Sequence, residues 1–160
     1  MTQKLTLFLA LLSTGLLAGV FYYGTFTVIP AFFEVPVEVH LKYRVALMNH
    51  NAVYVQLLTI IAIIGPLCLA LVSKNARSVR NYAIFAAIAA LLSILTTRFG
   101  NVPINRMIRV WEAGTIPANW RETLDRWNTF NNIRTVFALA SFLLILIASQ
   151  ITRLKNNGLQ

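Results

Sequence analysis

Three groups of polar side chains flank the apolar stretches of this 160-residue chain, and the members of each group recur every three or four residues. Such spacing places the members of a group on one face of a helix. The groups are His40, Arg44, Met48 and Asn51; Arg98, Asn101 and Asn105; and Trp120, Leu124, Trp127, Asn131 and Arg134. Guanidinium and amide groups bind and orient oxygen atoms, and an imidazole can accept a proton. Such side chains would suit a site for an oxygen-bearing ligand.

Two interpretations of these groups stay open. In the first, the arginines reach lipid phosphates, and Trp111, Trp120 and Trp127 form an interfacial aromatic belt. In the second, the groups share a pocket, because guanidiniums and amides at the ends of several helices are costly to desolvate unless they bind one another or a ligand. Pro103 leaves it open whether the second group continues the preceding helix or begins a new helical turn.

Metal chemistry has little support in the sequence. The only two histidines, His40 and His50, lie ten residues apart, a spacing that does not place them on one helical face. His40 is the best candidate metal ligand, but no cofactor is required, and copper and haem both stay open. The single cysteine, Cys68, excludes an internal disulfide and a multi-thiolate metal site, and we expect it to be an inert packing residue.

Four apolar stretches must position these groups. They lie at about residues 5–29, 52–72, 82–97 and 136–151. The chain is 58% hydrophobic and only 12% charged, so it lacks the polar surface of a water-soluble globule. Because a helix crosses the bilayer in about 20 residues, each stretch predicts a transmembrane helix, and the shorter third and fourth must extend into their flanks. No carboxylate lies within an apolar stretch, which disfavours a proton-coupled transporter.

The extensions of the third and fourth stretches bring Arg98 and Arg134 to the same depth at the membrane boundary. Two like charges repel in a partly desolvated pocket, so an acceptor has to lie between them. The acceptor is either a ligand oxyanion or a protein carboxylate, for which Glu34, Glu38 and Asp125 are the candidates.

The predicted fold is all-α: an integral membrane four-helix bundle that forms one transmembrane domain over residues 1–160. Segments 31–51 and 98–135 form a partly helical cap on one side of the membrane, and both termini lie on the other. Small residues at Gly15, Ala18 and Gly19 predict a close helix contact, either within the bundle or between protomers of a homo-oligomer.

The positive charge of the chain bears on orientation and partners. Six of the 14 lysines and arginines lie in the tails and in the short second linker, close to the spans: Lys4, Lys74, Arg77, Arg80, Arg153 and Lys155. This density favours cytoplasmic termini in a bacterial inner membrane. Juxtamembrane residues also explain the net charge of +9, so the expected partner is the lipid bilayer, and no nucleic acid is expected.

Two motifs connect the chain with a known family. An Asn-x-Pro-x-Asn element comprises Asn101, Pro103 and Asn105, and a Trp-x3-Asn-x2-Arg-Thr element follows at the fourth span, comprising Trp127, Asn131, Arg134 and Thr135. Together with "GVFYYGTFTVIPAF" and "HLKYRVALMN", they resemble the anthrone oxygenase-like family of small four-helix membrane proteins. Many members have no assigned activity, and the characterised ones resemble oxygenases that convert an anthrone to an anthraquinone.

The resemblance implies a membrane oxygenase that oxidises a flat, hydrophobic phenolic or anthrone-type substrate with dioxygen. The candidate catalytic residues are His40 as base, with Arg44 and Arg134 stabilising an oxyanion or a peroxide. The candidate substrate-binding residues are Tyr43, Arg98, Asn101, Asn105, Trp111, Trp127 and Asn131. The alternative is a non-catalytic membrane subunit, or a module that binds lipid or a small molecule, with the same polar cap as its docking surface.

Overall fold

The computed structural model describes residues 2–156, and the ordered elements in this part of the chain are all helical. Helix α1 spans Gln3–Tyr23 and passes through a first π-helical segment, π1 (Gly24–Val28), into the short α2 (Ile29–Phe32). Helix α3 spans Val37–Val72, and α4 spans Arg77–Thr96. A second π-helical segment, π2 (Thr97–Asn101), leads into α5 (Val102–Ala113), and α6 spans Trp120–Asn156.

Four helical runs are long and apolar enough to cross a membrane. They are Gln3–Phe32, Val37–Val72, Arg77–Ala113 and Trp120–Leu154. Large apolar side chains such as Phe8, Leu57 and Phe85 remain exposed on their outer faces, where lipid takes the place of water. The predicted all-helical membrane bundle of four spans is therefore confirmed.

The bundle is a ring in which each spanning helix packs against two others. Helix α1 contacts α3 and α6, and α4 contacts the same two helices from the opposite corner. Small residues permit the close approaches: an added Cβ at Gly65 would lie 3.2 Å from Cα of Ala10, and Ser141 Oγ donates a 2.9 Å hydrogen bond to the carbonyl of Ala86. Since hydrophobicity does not drive helices together inside lipid, such close packing holds the bundle.

The small residues of α1 differ from one another in their surroundings. A Cβ at Gly15 would meet the Phe142 ring at 3.1 Å, and Ala18 is buried. Gly19 is exposed, and a Cβ there would meet nothing within 4 Å. The predicted close contact within the bundle therefore includes Gly15 and Ala18 but not Gly19.

The cap is built from extensions of the spanning helices. The chain passes through π2 into α5 without leaving helical structure, and Pro103 is the second residue of α5. Residues of α3, α5 and α6 form the apolar core of the cap: Leu41, Ile104, Ile108, Trp111, Leu124 and Trp127. The helices are thus longer than the apolar stretches that predict them, and they carry the polar groups on rigid structure.

Candidate functional site

Helix α3 presents His40 and Arg44, one helical turn apart, to the interior. They are 1% and 3% exposed, and Nε of Arg44 donates a 3.2 Å hydrogen bond to Nε2 of His40. Because Nε2 accepts this bond, a neutral imidazole carries its proton on Nδ1. The His40 ring also lies against Phe32 and Phe33, with centroids 5.3 and 4.9 Å away. The imidazole is therefore enclosed by aromatic rings, and its basic lone pair faces Arg44.

The Trp127 indole has a guanidinium near it from two different helices. Cζ of Arg44 lies 4.2 Å from the Trp127 ring centroid, and Cζ of Arg134 lies 5.4 Å from it. Arg134 also stacks on the Phe21 ring at 4.4 Å. We call His40, Arg44, Trp127 and Arg134 the arginine cluster. Each desolvated cation–π contact contributes about 2 kcal/mol, so the aromatic faces offset part of the cost of burying two cations.

Arg134 is held by neutral partners. Its Nε and Nη2 donate to Oδ1 of Asn131 at 3.1 and 2.7 Å, and its Nη1 donates to Oγ1 of Thr97 at 3.4 Å. Nδ2 of Asn131 in turn donates to Oγ1 of Thr25 at 2.7 Å, and the hydroxyls of Thr25 and Thr135 lie 2.8 Å apart. Residues of π1 and π2 therefore fix the Arg134 guanidinium.

Arg44 is less completely satisfied. Its Nη1 and Nη2 are buried and have no hydrogen-bond partner in the part of the chain that the structure describes. All five acidic residues are exposed, including the three candidate partners Glu34, Glu38 and Asp125. An unsatisfied buried polar group costs about 1 to 3 kcal/mol, and a charged group costs more. The cluster therefore carries one buried and one partly buried positive charge, and no protein carboxylate neutralises either.

Two asparagines of the Asn-x-Pro-x-Asn element hold Trp127. Nδ2 of Asn101 donates to the Trp127 carbonyl at 3.0 Å, and Nε1 of Trp127 donates to Oδ1 of Asn105 at 2.7 Å. Asn101 is fully buried, and its Oδ1 has no partner among the described residues. The two amides thus position the indole ring beside which both guanidiniums lie.

The structure does not bring every predicted site residue to the cluster. Arg98 and Tyr43 are exposed, and Trp111 packs in the core of the cap. Arg98 does not share a pocket with Arg134, because the wide turn of π2 keeps other residues on the inner face. Those residues are Ser93, Thr97 and Asn101, each bonded to α6. The second arginine near Arg134 is therefore Arg44, which shares the Trp127 ring with it, and not Arg98.

Some residues that contact the cluster lie outside the three groups of polar side chains found in the sequence. Phe21 and Thr25 come from the first span, which the sequence treats as an apolar helix, and Phe32 lies in α2. The sequence gives one weak indication for Thr25. Its hydroxyl lies near the end of an apolar stretch, where it needs a hydrogen-bond partner from another part of the chain.

The profile of the anthrone oxygenase family matches residues 44–144. The chain belongs to the anthrone oxygenase family. No curated protein and no solved structure matches it.

The match covers most of the cluster in this member of the anthrone oxygenase family. Arg44 stands at its first position, and Trp127 and Arg134 lie within it. His40 and the whole of α1 precede the matched region. Family membership therefore bears on the two arginines and the indole, whereas the role of His40 has to be argued from its contacts.

The ligand atoms near His40 do not suit a metal ion. Within residues 2–156, no three His, Cys, Asp or Glu side chains come together as a metal site would require. The neighbours of His40 are a guanidinium and aromatic rings, including Trp120 at 6.4 Å between centroids. A cation would meet a like charge there. The residues present therefore fit neither copper nor an axial haem ligand at His40.

One cavity lies near the cluster but outside it. It has a volume of about 320 Å³ and opens on the cap beside α3 and α5, lined by Glu38, Leu41, Lys42, Trp111, Glu112, Gly114 and Ile116. None of the arginine cluster lines it. In this conformation the cluster is closed by its own side chains.

Proposed function

We propose that this member of the anthrone oxygenase family is a membrane-embedded oxygenase that oxidises a flat, hydrophobic phenolic of the anthrone type with dioxygen. The observation that carries the proposal is the arginine cluster, in which two guanidiniums without a carboxylate partner lie 4.2 and 5.4 Å from the centroid of one indole ring. Such a site offers positive charge to an oxyanion and a flat wall to a ring. A flat apolar substrate partitions into lipid, which accounts for an enzyme within the bilayer.

The reaction is balanced by one dioxygen molecule per substrate. Loss of a proton from the methylene between the two rings of an anthrone leaves a carbanion whose charge is delocalised onto the carbonyl oxygen. The carbanion reduces dioxygen, and a carbon–oxygen bond forms at the former methylene. One oxygen atom becomes the new carbonyl, and the other leaves as water with the two hydrogens of the methylene.

In the proposed reaction, the arginines supply positive charge and the asparagines position other side chains. Arg44 and Arg134 stabilise the oxygen that becomes negative, since their positive charges lie in a site of low dielectric. Asn101, Asn105 and Asn131 act on the ligand through the indole and guanidinium that they hold. Because Nε2 of His40 accepts a bond from Arg44, His40 can act as the base only when Arg44 turns to the substrate oxygen and releases that nitrogen.

The test uses purified protein in phosphatidylcholine nanodiscs with 1,8-dihydroxyanthrone as substrate. We expect oxygen consumption and formation of the anthraquinone, followed by its visible absorbance, to exceed the rates in protein-free nanodiscs. Arg44→Gln and Arg134→Gln should each lower kcat/KM about 100-fold, the usual effect of removing an oxyanion donor. Arg126→Gln is the matched control, because Arg126 is exposed on the same helix as Arg134. A wild-type rate equal to that of empty nanodiscs would contradict the proposal.

A second comparison isolates the base. His40→Gln retains an acceptor for Nε of Arg44 but cannot take up a proton. If His40 is the base, this variant should lose about 100-fold in kcat while KM changes little. His50→Gln is the control, since His50 is exposed on the same helix. Unchanged turnover in His40→Gln would remove the base role and leave the oxygenase without an assigned base.

A further inference from the structure

The open donors of Arg44 point to a specific kind of ligand. A guanidinium has five N–H groups, and Arg44 uses only Nε, in its bond to His40. The four N–H groups on Nη1 and Nη2 are buried without an acceptor in the described part of the chain. Together Nη1 and Nη2 form the fork that binds two oxygens of one anionic group.

The charge around Arg44 also favours an anion that exists before any reaction. Arg134 shares the Trp127 ring with Arg44, and its own hydrogen bonds go to the neutral groups of Asn131 and Thr97. Acidic residues are exposed throughout the chain. A neutral phenolic would leave both positive charges uncompensated, whereas an anionic ligand would neutralise at least one of them.

The walls of the site indicate what carries the anion. Arg44 lies near the rings of both Trp127 and Phe32, with its Cζ 4.2 and 5.8 Å from their centroids. His40, which fixes the direction of the guanidinium through Nε, is itself packed on Phe32 and Phe33. These surfaces suit a flat ring. The burial of Arg44, which is 3% exposed, disfavours the phosphate of a lipid that remains at the interface.

We propose that the fork of Arg44 binds a carboxylate attached to a flat aromatic ring, so that the site prefers aromatic acids to neutral aromatic compounds of the same shape. The inference rests on the proposed function for its flat phenolic ligand and adds the anionic group. His40 is a positioning residue in this binding step, since its Nε2 holds Nε of Arg44 and directs Nη1 and Nη2 away from the imidazole. Phe32 has to move for the ligand to reach the fork, and it belongs to the four-residue α2, the shortest helix around the site.

The experiment measures binding without oxygen, so that it is independent of turnover. Wild-type protein in phosphatidylcholine nanodiscs is titrated calorimetrically with 1-hydroxy-2-naphthoate and, separately, with its neutral methyl ester. We expect the acid to bind about 30-fold more tightly than the ester, the scale of a buried charge pair. Equal affinity for acid and ester would overturn the inference, and this comparison needs no variant.

Variants assign the preference to Arg44. Arg44→Gln should bind acid and ester equally, whereas Lys42→Gln should retain the wild-type preference, because Lys42 is exposed on the same helix. His40→Leu should reduce the preference about tenfold, and His40→Gln should restore most of it by again accepting from Nε. A preference that survives Arg44→Gln, or a His40→Leu variant that keeps all of it, would contradict the assigned roles.

Two further titrations separate the sources of an anion. Inorganic phosphate should neither bind nor compete, since it has no ring, and nanodiscs containing phosphatidylglycerol should leave the affinity for the acid within about twofold of that in phosphatidylcholine. Competition by either would identify a headgroup or free-anion site and overturn the aromatic-acid assignment. Binding of the acid with no oxidation of 1,8-dihydroxyanthrone would instead contradict the proposed function alone.

Discussion

A double-mutant cycle between Arg44 and Trp127 tests how the buried charge is tolerated. The single variants are Arg44→Met, which keeps the length of the side chain without its charge, and Trp127→Leu, which removes the indole. The Cζ of Arg44 lies 4.2 Å from the Trp127 centroid, and no acidic side chain is buried nearby. We therefore expect the two substitutions to be strongly coupled.

The magnitudes follow from the contacts. Trp127→Leu loses apolar packing in the cap core, the hydrogen bond to Asn105 and the ring that faces Arg44. These losses amount to about 5 kcal/mol, of which about 2 kcal/mol is the cation–π contact. Arg44→Met loses the same contact but removes an unsatisfied buried charge, so its net effect should lie within about 1 kcal/mol of wild type. The double variant should be about 2 kcal/mol more stable than the sum of the single effects predicts.

The free energies of unfolding are measured by titrating SDS into mixed micelles and following helicity by circular dichroism, a signal that does not depend on the removed indole. The control cycle combines Trp127→Leu with Arg126→Met instead of Arg44→Met. Arg126 is an exposed arginine next to Trp127 in the chain. That cycle should show a coupling below about 0.5 kcal/mol. A coupling equally small for Arg44 would refute the view that the indole stabilises its charge.

Two other predictions concern packing and topology. Gly100→Ala should destabilise the protein by about 1 to 3 kcal/mol in the same unfolding assay, because the new Cβ would collide with Cγ of Phe130. Gly19→Ala should not, because a Cβ at Gly19 would meet nothing within 4 Å. In a cysteine-free background, cysteines at 42 and 74 should be labelled from opposite sides of sealed vesicles, since all but the first six residues of α3 lie between Lys42 and Lys74. Labelling of both from one side would contradict the topology.

Most of the fold can be predicted because membrane spans depend on composition and length, which are properties of local sequence. The four apolar stretches and the even number of spans correspond to the four helical runs of the bundle. The ends of the helices are less predictable. Polar residues beyond the apolar stretches still form helix, since α3 begins at Val37 and α6 at Trp120, and the cap core supplies the packing that holds them.

The site can be predicted only in part, because helical spacing assumes a regular helix. The spacing correctly groups His40 with Arg44, and Trp127 with Asn131 and Arg134. It places Arg98 with them because nothing in the sequence marks the wide turn at Thr97–Asn101. Contributions from helices distant in sequence, such as Thr25, depend on which spans are neighbours, and single-chain patterns do not contain that information.

The two wide turns have a consequence for how the gene can change. A π turn accommodates one residue more than an α turn, so loss of a single codon within Thr97–Asn101 would leave a continuous and regular α-helix. The span would remain intact and insert as before, and α5 would keep nearly the same orientation relative to α4, because the extra residue is absorbed within a single turn. Asn105 would therefore stay beside the indole that it holds. Relatives can thus differ by one residue within these five positions and still keep the site.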